Sequence, residues 1–522
     1  GSVTTEGDSI LGADLVRSAV GVDGTGVSIG VISDGVGGLA ASQASADLPA
    51  VNTATCNVIP GSDPTLSGAE GTAMLEIVHD LAPGAELWFG HFGFPGTSLA
   101  FNAAVDCLAA NTDVVVDDIG WFNVGSYDGT SIVSANTSTE LNRASNPIRA
   151  YATSVGNQAG SHYQEPFVDS GFDLDVGGGP LWDFHRFQAT GNTSDAGLAM
   201  PCDLDSPSIL CTDSVLVADG GFVVVFLQWN DPFGGSNNDY DLFLFDFVED
   251  DPLVAVGWDV QDGTQDPAEW VGWANDSGQD RWFDVVIGNH LGTAASRTFD
   301  MFVICDGCAL LPNDAIHNFN TQRSSVPNQS DAGGGVISAG AINASDPGND
   351  TIAFYSSRGP TNDNRVKPDI TGIDCVTVTG AGGFGSPFCG TSAAAPHIAG
   401  IAALLLECSP GLLAGEPGDS PQGDRTSLRD ALLNNAVDLA PAGVDNTYGY
   451  GRADAEAAAA AAGCSAAFVI GDVDCDDDVE AVDALFILQN VAGLRGSSSD
   501  CPPPTASLFE GAADADCDED VD

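Results

Sequence analysis

Phe388-Cys389-Gly390-Thr391-Ser392-Ala393-Ala394-Ala395-Pro396-His397-Ile398-Ala399-Gly400 is the stretch whose reading decides the fold. Gly-Thr-Ser opens a run of small and apolar residues that predicts a long buried helix over Ala394–Glu407, with Ser392 at its mouth. A serine there is well placed to be a nucleophile. The helix N-terminus supplies partial positive charge, and the small neighbours let a substrate backbone come close.

Upstream, strand and helix signals alternate. Gly26–Ile32 reads as a short strand buried on both faces, ending at Ser33-Asp34-Gly35. Thr72–Leu81 has helical spacing and closes at Ala82-Pro83-Gly84. Ala85–Phe89 and Asp113–Val116 are further strands, the second running into Asp117-Asp118-Ile119-Gly120, and Asn146–Val155 leads to a turn at Gly156-Asn157. Such alternation predicts a layered α/β domain with a parallel sheet and a site at the strand ends. From about Glu165 to Leu311 helical periodicity disappears, and strand-like runs alternate with Gly/Asp/Asn turns, as in a sandwich or jelly roll. The α/β signals return at Gly334–Ala341 and Lys367–Gly372, followed by helices over Ser427–Val437 and Ala453–Ala462. The expected organisation is a split α/β domain over 1–165 and 313–463, an all-β insertion over 166–312 and a small acidic module over 464–522.

Acidic residues outnumber basic ones 74 to 14 in the 522-residue chain, for a net charge of −60, and Lys367 is the sole lysine. A surface this negative repels phosphate backbones and anionic headgroups, which argues against nucleic acid or membrane as partner. No apolar run reaches the ~20 residues of a bilayer span. Thirteen cysteines, several paired closely in sequence (Cys202/Cys211, Cys305/Cys308, Cys375/Cys389), suit a disulfide-bearing, secreted protein better than a zinc site. The odd count leaves at least one thiol unpaired or intermolecular, and the start of the chain reads as already trimmed.

The Ser392 stretch resembles the nucleophile motif of subtilisin-like serine peptidases. Four other segments resemble that family's motifs in the expected order: Val31–Gly35 with its strand-end aspartate, Val155-Gly156-Asn157 with the oxyanion asparagine, Phe354–Pro360 with Lys367–Ile370, and Tyr448–Ala455. The resemblance covers about 1–165 and 313–463. It implies a three-layer subtilisin-like fold, a protein or peptide substrate, no organic cofactor, and catalytic roles for Asp34, Asn157 and Ser392.

One position departs from the family. Where His-Gly-Thr opens the helix bearing the catalytic histidine, this chain has Glu70-Gly71-Thr72, and Leu81–Ala85 fixes the register. Sedolisins, relatives with the same fold, carry glutamate there in a Ser-Glu-Asp triad, but their aspartate one helical turn on is Met74 here. The expectation is a subtilisin layout with a sedolisin-like base. His79 lies nine residues past Glu70 on the opposite helix face. His397 reads as a packing residue, and His162, five residues after Asn157, is the one histidine placed to curl into the cleft as an alternative base.

A free glutamate titrates near ~4.3 and histidine near ~6.5, so a carboxylate base leads us to expect activity displaced toward acidic pH. A shared site for Glu70 and Asp34 raises one of their pKa values. Asp118, Ile119 and Gly120 stand where the family's substrate-pairing strand lies; Asp118 reads as a third cleft carboxylate or a solvated strand-end residue. The competing class is a catalytically inactive scaffold that binds through the same fold.

Within the insertion, Asp239 and Asp241 read as solvated turn carboxylates, with calcium ligation as the alternative. In the C-terminal module, Asp472, Asp474, Asp476, Asp478 and Asp483 occupy positions 1, 3, 5, 7 and 12 of a calcium loop, with Asp477 where glycine is usual. An amphipathic helix follows, and the pattern resembles a dockerin repeat, implying structural Ca2+ and a cohesin-like partner. A second loop begins at Asp514 and stops at Asp522 before its twelfth position, which reads as a truncated repeat.

Overall fold

The structure is a computed structural model that describes residues 3–175, 181–187, 193–194, 212–246, 253–308, 315–415 and 420–464. Seven parallel strands form its central sheet, in the order Ile370–Asp374, Ile337–Asn343, Ala150–Ser154, Val114–Asp117, Ser28–Ile32, Glu86–Gly90, Val51–Asn52. The apolar strand residues split by alternation between two cores, as a sheet covered on both faces requires. Ile29, Val31, Val114, Val116 and Ala152 pack with the helices Glu70–Leu81 and Thr391–Cys408. Ile32, Val115 and Tyr151 pack on the other face with Phe101, Leu108, Val133 and Leu141, from the helices Ser98–Ala109 and Ile132–Asn142. The result is the three-layer α/β subtilisin-like fold.

Thr391–Cys408 is long and apolar enough to cross a bilayer, yet 89% of it is buried against the sheet, so it is the core helix of this domain. It starts earlier than the apolar run suggested and takes in Thr391 and Ser392. Glu70 likewise opens its helix, two residues ahead of the predicted start at Thr72.

The second sheet is antiparallel. It runs Leu253–Gly257, Tyr240–Phe245, Arg281–His290, Asp213–Trp229, Thr298–Cys308, His162–Pro166. The 17-residue strand Asp213–Trp229 pairs with Arg281–His290 through its first part and with Ala268–Ala274 through its second, closing the sheet around Trp229, Tyr240, Val285 and Phe299. The chain leaves for this sheet after Ala150–Ser154 and returns at Ile337–Asn343, two strands adjacent in the parallel sheet. All the antiparallel strands are thus strung between two neighbours at the edge of the site.

Disulfides join Cys305 to Cys308 and Cys375 to Cys389, and also Cys56 to Cys107 and Cys408 to Cys464, pairs 51 and 56 residues apart that sequence proximity did not suggest. Cys202, Cys211 and the calcium-loop residues Asp472, Asp474, Asp476, Asp478 and Asp483 lie outside the described residues.

Candidate active site

Parallel register assembles the site. Ile32 pairs with Asp117 and Asp117 with Thr153, so the segments beyond three adjacent strand ends meet: Ser33-Asp34, Asp118 to Gly120, and Gly156-Asn157. Strand carboxyl ends open a crevice of the kind where α/β sheets bind ligands. The helices opening at Glu70 and Thr391 bring their N-termini to the same crevice.

Ser392 is 8% exposed. Its hydroxyl donates to the Glu70 carboxylate, which also shares a side-chain hydrogen bond with Asp118. Two carboxyl groups in hydrogen-bond contact need a proton between them. Asp118 Oδ2 accepts from Ser33 Oγ at 3.0 Å, while Oδ1 is buried with no N–H or hydroxyl donor aimed at it. A proton shared with Glu70 satisfies that oxygen. Burial, then the Asp34 charge, push the Glu70 pKa up to about 7. Asp118 is pushed well above the carboxylate range, by burial first and the Glu70 charge second.

Asp34 reaches Glu70 through the latter's main chain. Its Oδ1 accepts the backbone N–H of Glu70 at 3.0 Å, and the N–H groups of Gly71 and Gly35 also point to its carboxylate. Asp34 therefore caps the helix and holds Glu70 by its main chain, and burial raises its own pKa. The side chain in contact with the Glu70 carboxyl is Asp118. Asp118 is accordingly turned toward Glu70 and Ser33 rather than outward to a substrate. Ile119 is buried in the second core at 8% exposure, and Gly120 presents exposed backbone.

Asn157 accepts from Thr391 N and Thr391 Oγ1, both at 2.9 Å, through its Oδ1. That fixes the amide with Nδ2 turned the other way. A Cβ placed on Gly390 would sit 3.3 Å from Asn157 Nδ2 and 3.8 Å from Ser392 N. Two N–H donors therefore converge on a space that only glycine leaves open, and the φ of +124° at Gly390 also favours glycine. The Cys375–Cys389 disulfide and the Gly390 N–H donated to Asp374 Oδ2 at 3.2 Å brace the turn beneath it.

No imidazole reaches Ser392. The expected alternative base, His162, is fully buried on the antiparallel sheet: Nδ1 bonds Thr321 O at 2.9 Å, Nε2 bonds Asp300 Oδ1 at 3.2 Å, and the ring packs on Phe302. Residues 162–166 form a strand, not a loop free to curl into the cleft. His397 donates Nδ1–H to Ala393 O and accepts at Nε2 from Thr5 Oγ1, and burial lowers its pKa to about 4. His91, His185, His290 and His317 bond Ser62, Tyr163, Asp239 and Asp213, and burial lowers the pKa of His79 at the far end of its helix.

The two candidate calcium ligands of the insertion have protein partners. Asp239 is engaged by His290 and by Gln261 N, and Asp241 by Trp182 Nε1. Among the described residues no group of three or more such side chains could hold a metal.

A parallel three-layer sandwich with a serine at the mouth of its central helix defines the subtilisin-like class of α/β fold. Comparison with known proteins agrees: the Subtilase family matches residues 282–451. Serine protease AprX of Bacillus subtilis is 33% identical over 134 residues, 22% of this chain and 28% of that protein, so the match spans under a third of the relative's length. The Clostridium perfringens CspB protease superposes with a TM-score of 0.53 at 14% identity, over 87% of this chain and 96% of that one; a likeness at that identity speaks to fold alone.

Proposed function

We propose that the chain is a serine endopeptidase of the subtilase type in which a carboxylate replaces the usual imidazole base. The observation that carries this is the Ser392 hydroxyl donated to the Glu70 carboxylate beside a space flanked by two N–H donors. An inactive scaffold has no use for either feature.

Ser392 Oγ attacks the scissile carbonyl carbon as its proton passes to Glu70. The carbonyl oxygen becomes an anion held by Asn157 Nδ2–H and Ser392 N–H, donors whose loss typically costs about 10²–10³ in rate. The C–N bond then breaks, Glu70 returns its proton to the leaving amine, and an acyl ester remains on Ser392. Water, deprotonated by Glu70, hydrolyses that ester and restores the serine. Asp118 keeps its own proton throughout and donates it to Glu70, which orients the base and stabilises its anion; Asp34 fixes the backbone beneath. Burial brings Glu70 to about 7, near where an imidazole ionises, so the site works closer to neutrality than an unburied glutamate would.

Protein or peptide substrates follow from this reading, and the disulfides suit a secreted protein. The test is cleavage of an internally quenched peptide library by the whole protein. Turnover that disappears in Ser392→Ala, with the fold intact by circular dichroism, is expected; equal turnover by that variant refutes it.

A further inference from the structure

We infer that the antiparallel insertion completes the substrate cleft with an apolar subsite for the segment N-terminal to the scissile bond, centred on Trp270. This rests on the peptidase reading above. The leaving amine must lie at Glu70, which protonates it, so the acyl half of the substrate extends the other way, past Asn157. There the wall is continuous. A Cβ on Gly156 would meet Pro327 Cδ at 2.9 Å, and one on Gly120 would lie 3.5 Å from Pro327 Cγ and 4.0 Å from Phe122 Cζ. Phe122 in turn stacks on Phe226 of the insertion, with centroids 5.2 Å apart and planes at 17°. Phe226 pairs across the sheet with Trp270, which places both on one face.

Beyond that junction the face stays apolar and uncovered among the described residues. Trp270 is 63% exposed and Phe222 44%. A Cβ on Gly272 would lie 3.7 Å from both Trp270 Cζ3 and Val224 Cγ2, so the indole leans over the glycine toward the valine and forms a shallow floor. Exposed aromatics on a contiguous face mark a binding surface more often than solitary apolar residues do. This one is rigidly tied to the site: Asn123 Nδ2 donates to Glu269 O at 2.8 Å, and Trp121 and Asn328 exchange backbone hydrogen bonds at 3.2 and 3.1 Å. From Gly120 the path to Trp270 runs through Phe122 and Phe226. The occupant is therefore an apolar or aromatic side chain of the substrate, upstream of the one facing Gly120.

The experiment compares quenched peptides that share their residues around the scissile bond and differ in N-terminal extension, ending in Phe/Leu or in Gly/Ser. In the wild type, the extension bearing Phe or Leu raises kcat/KM about tenfold over the short peptide, as expected for burying one such side chain. Trp270→Ala removes that gain and leaves the short peptide unaffected, a split a folding defect would not give. Equal losses on both peptides, or no gain on extension, overturn the proposal. In parallel, Ser392→Ala binds labelled long peptide by anisotropy. Trp270-dependent binding without wild-type turnover upholds the subsite and sinks the peptidase reading, whereas binding indifferent to Trp270 sinks the subsite alone.

Discussion

Replacing Asp118 separates two titrations that a carboxylate pair imposes on the rate. With Glu70 at about 7, the base is half ionised at pH 7 and about 1% ionised at pH 5, so kcat/KM falls about 50-fold between them. An unshifted glutamate near ~4.3 would lose only about 20% over that interval. Burial, then the Glu70 charge, push the Asp118 pKa well above its ordinary value, and in the proposed mechanism Asp118 holds its proton while Glu70 ionises. Raising the pH further ionises Asp118, sets two anions against each other and turns Glu70 from Ser392, which produces a descending limb. The amide of Asp118→Asn keeps an N–H donor that never titrates. That variant therefore preserves the ascending limb and abolishes the descending one. Asp118→Ala withdraws a hydrogen bond that lowers the Glu70 pKa, so its ascending limb moves to higher pH. The assay is kcat/KM for a short quenched peptide over ~pH 4–10. A wild-type profile flat between pH 5 and 7, or an alkaline limb surviving in Asp118→Asn, refutes the reasoning.

Gly390→Ala places a methyl group between Asn157 Nδ2 and Ser392 N; kcat should drop about 10²–10³-fold, as for a lost oxyanion donor, with peptide affinity retained in a binding assay. Converting Cys375 and Cys389 together to serine opens a loop of 14 residues beside the nucleophile, and unfolding in denaturant should show a loss of ~3 kcal/mol. Stability should also fall as pH rises. Burial raises Glu269 to about 8 and Asp80 to about 7, so the folded chain binds protons the unfolded chain releases. Their contribution is complete below the ordinary carboxylate range and is lost as pH climbs through about 7 to 8. A Tm that increased over that window would contradict the assignment.

The parallel sheet and its core helix were legible because doubly buried strands and a small-residue helix leave runs that are apolar but for a single polar residue, Ser28 in Gly26–Ile32 and His397 in Ala394–Leu406. Glu70 was legible through its neighbours Gly71 and Thr72. Its contact with Asp118 was not, since it follows from the register that sets Ile32 beside Asp117 across two strands far apart in sequence. His162 misled because its neighbourhood carries turn residues, Gly156 and Gly160, yet the strand Thr298–Cys308 captures 162–166 by pairing. The stacking of Phe122 on Phe226 joins segments about a hundred residues apart, and no local pattern announces it.

The central claim is that a carboxyl group activates Ser392, and the most direct measurement is the rate at which a fluorophosphonate labels that serine. The labelling rate is expected to track the ionisation of Glu70 and to collapse in Glu70→Gln, while His162→Ala labels like the wild type. Labelling of Glu70→Gln at the wild-type rate would contradict it.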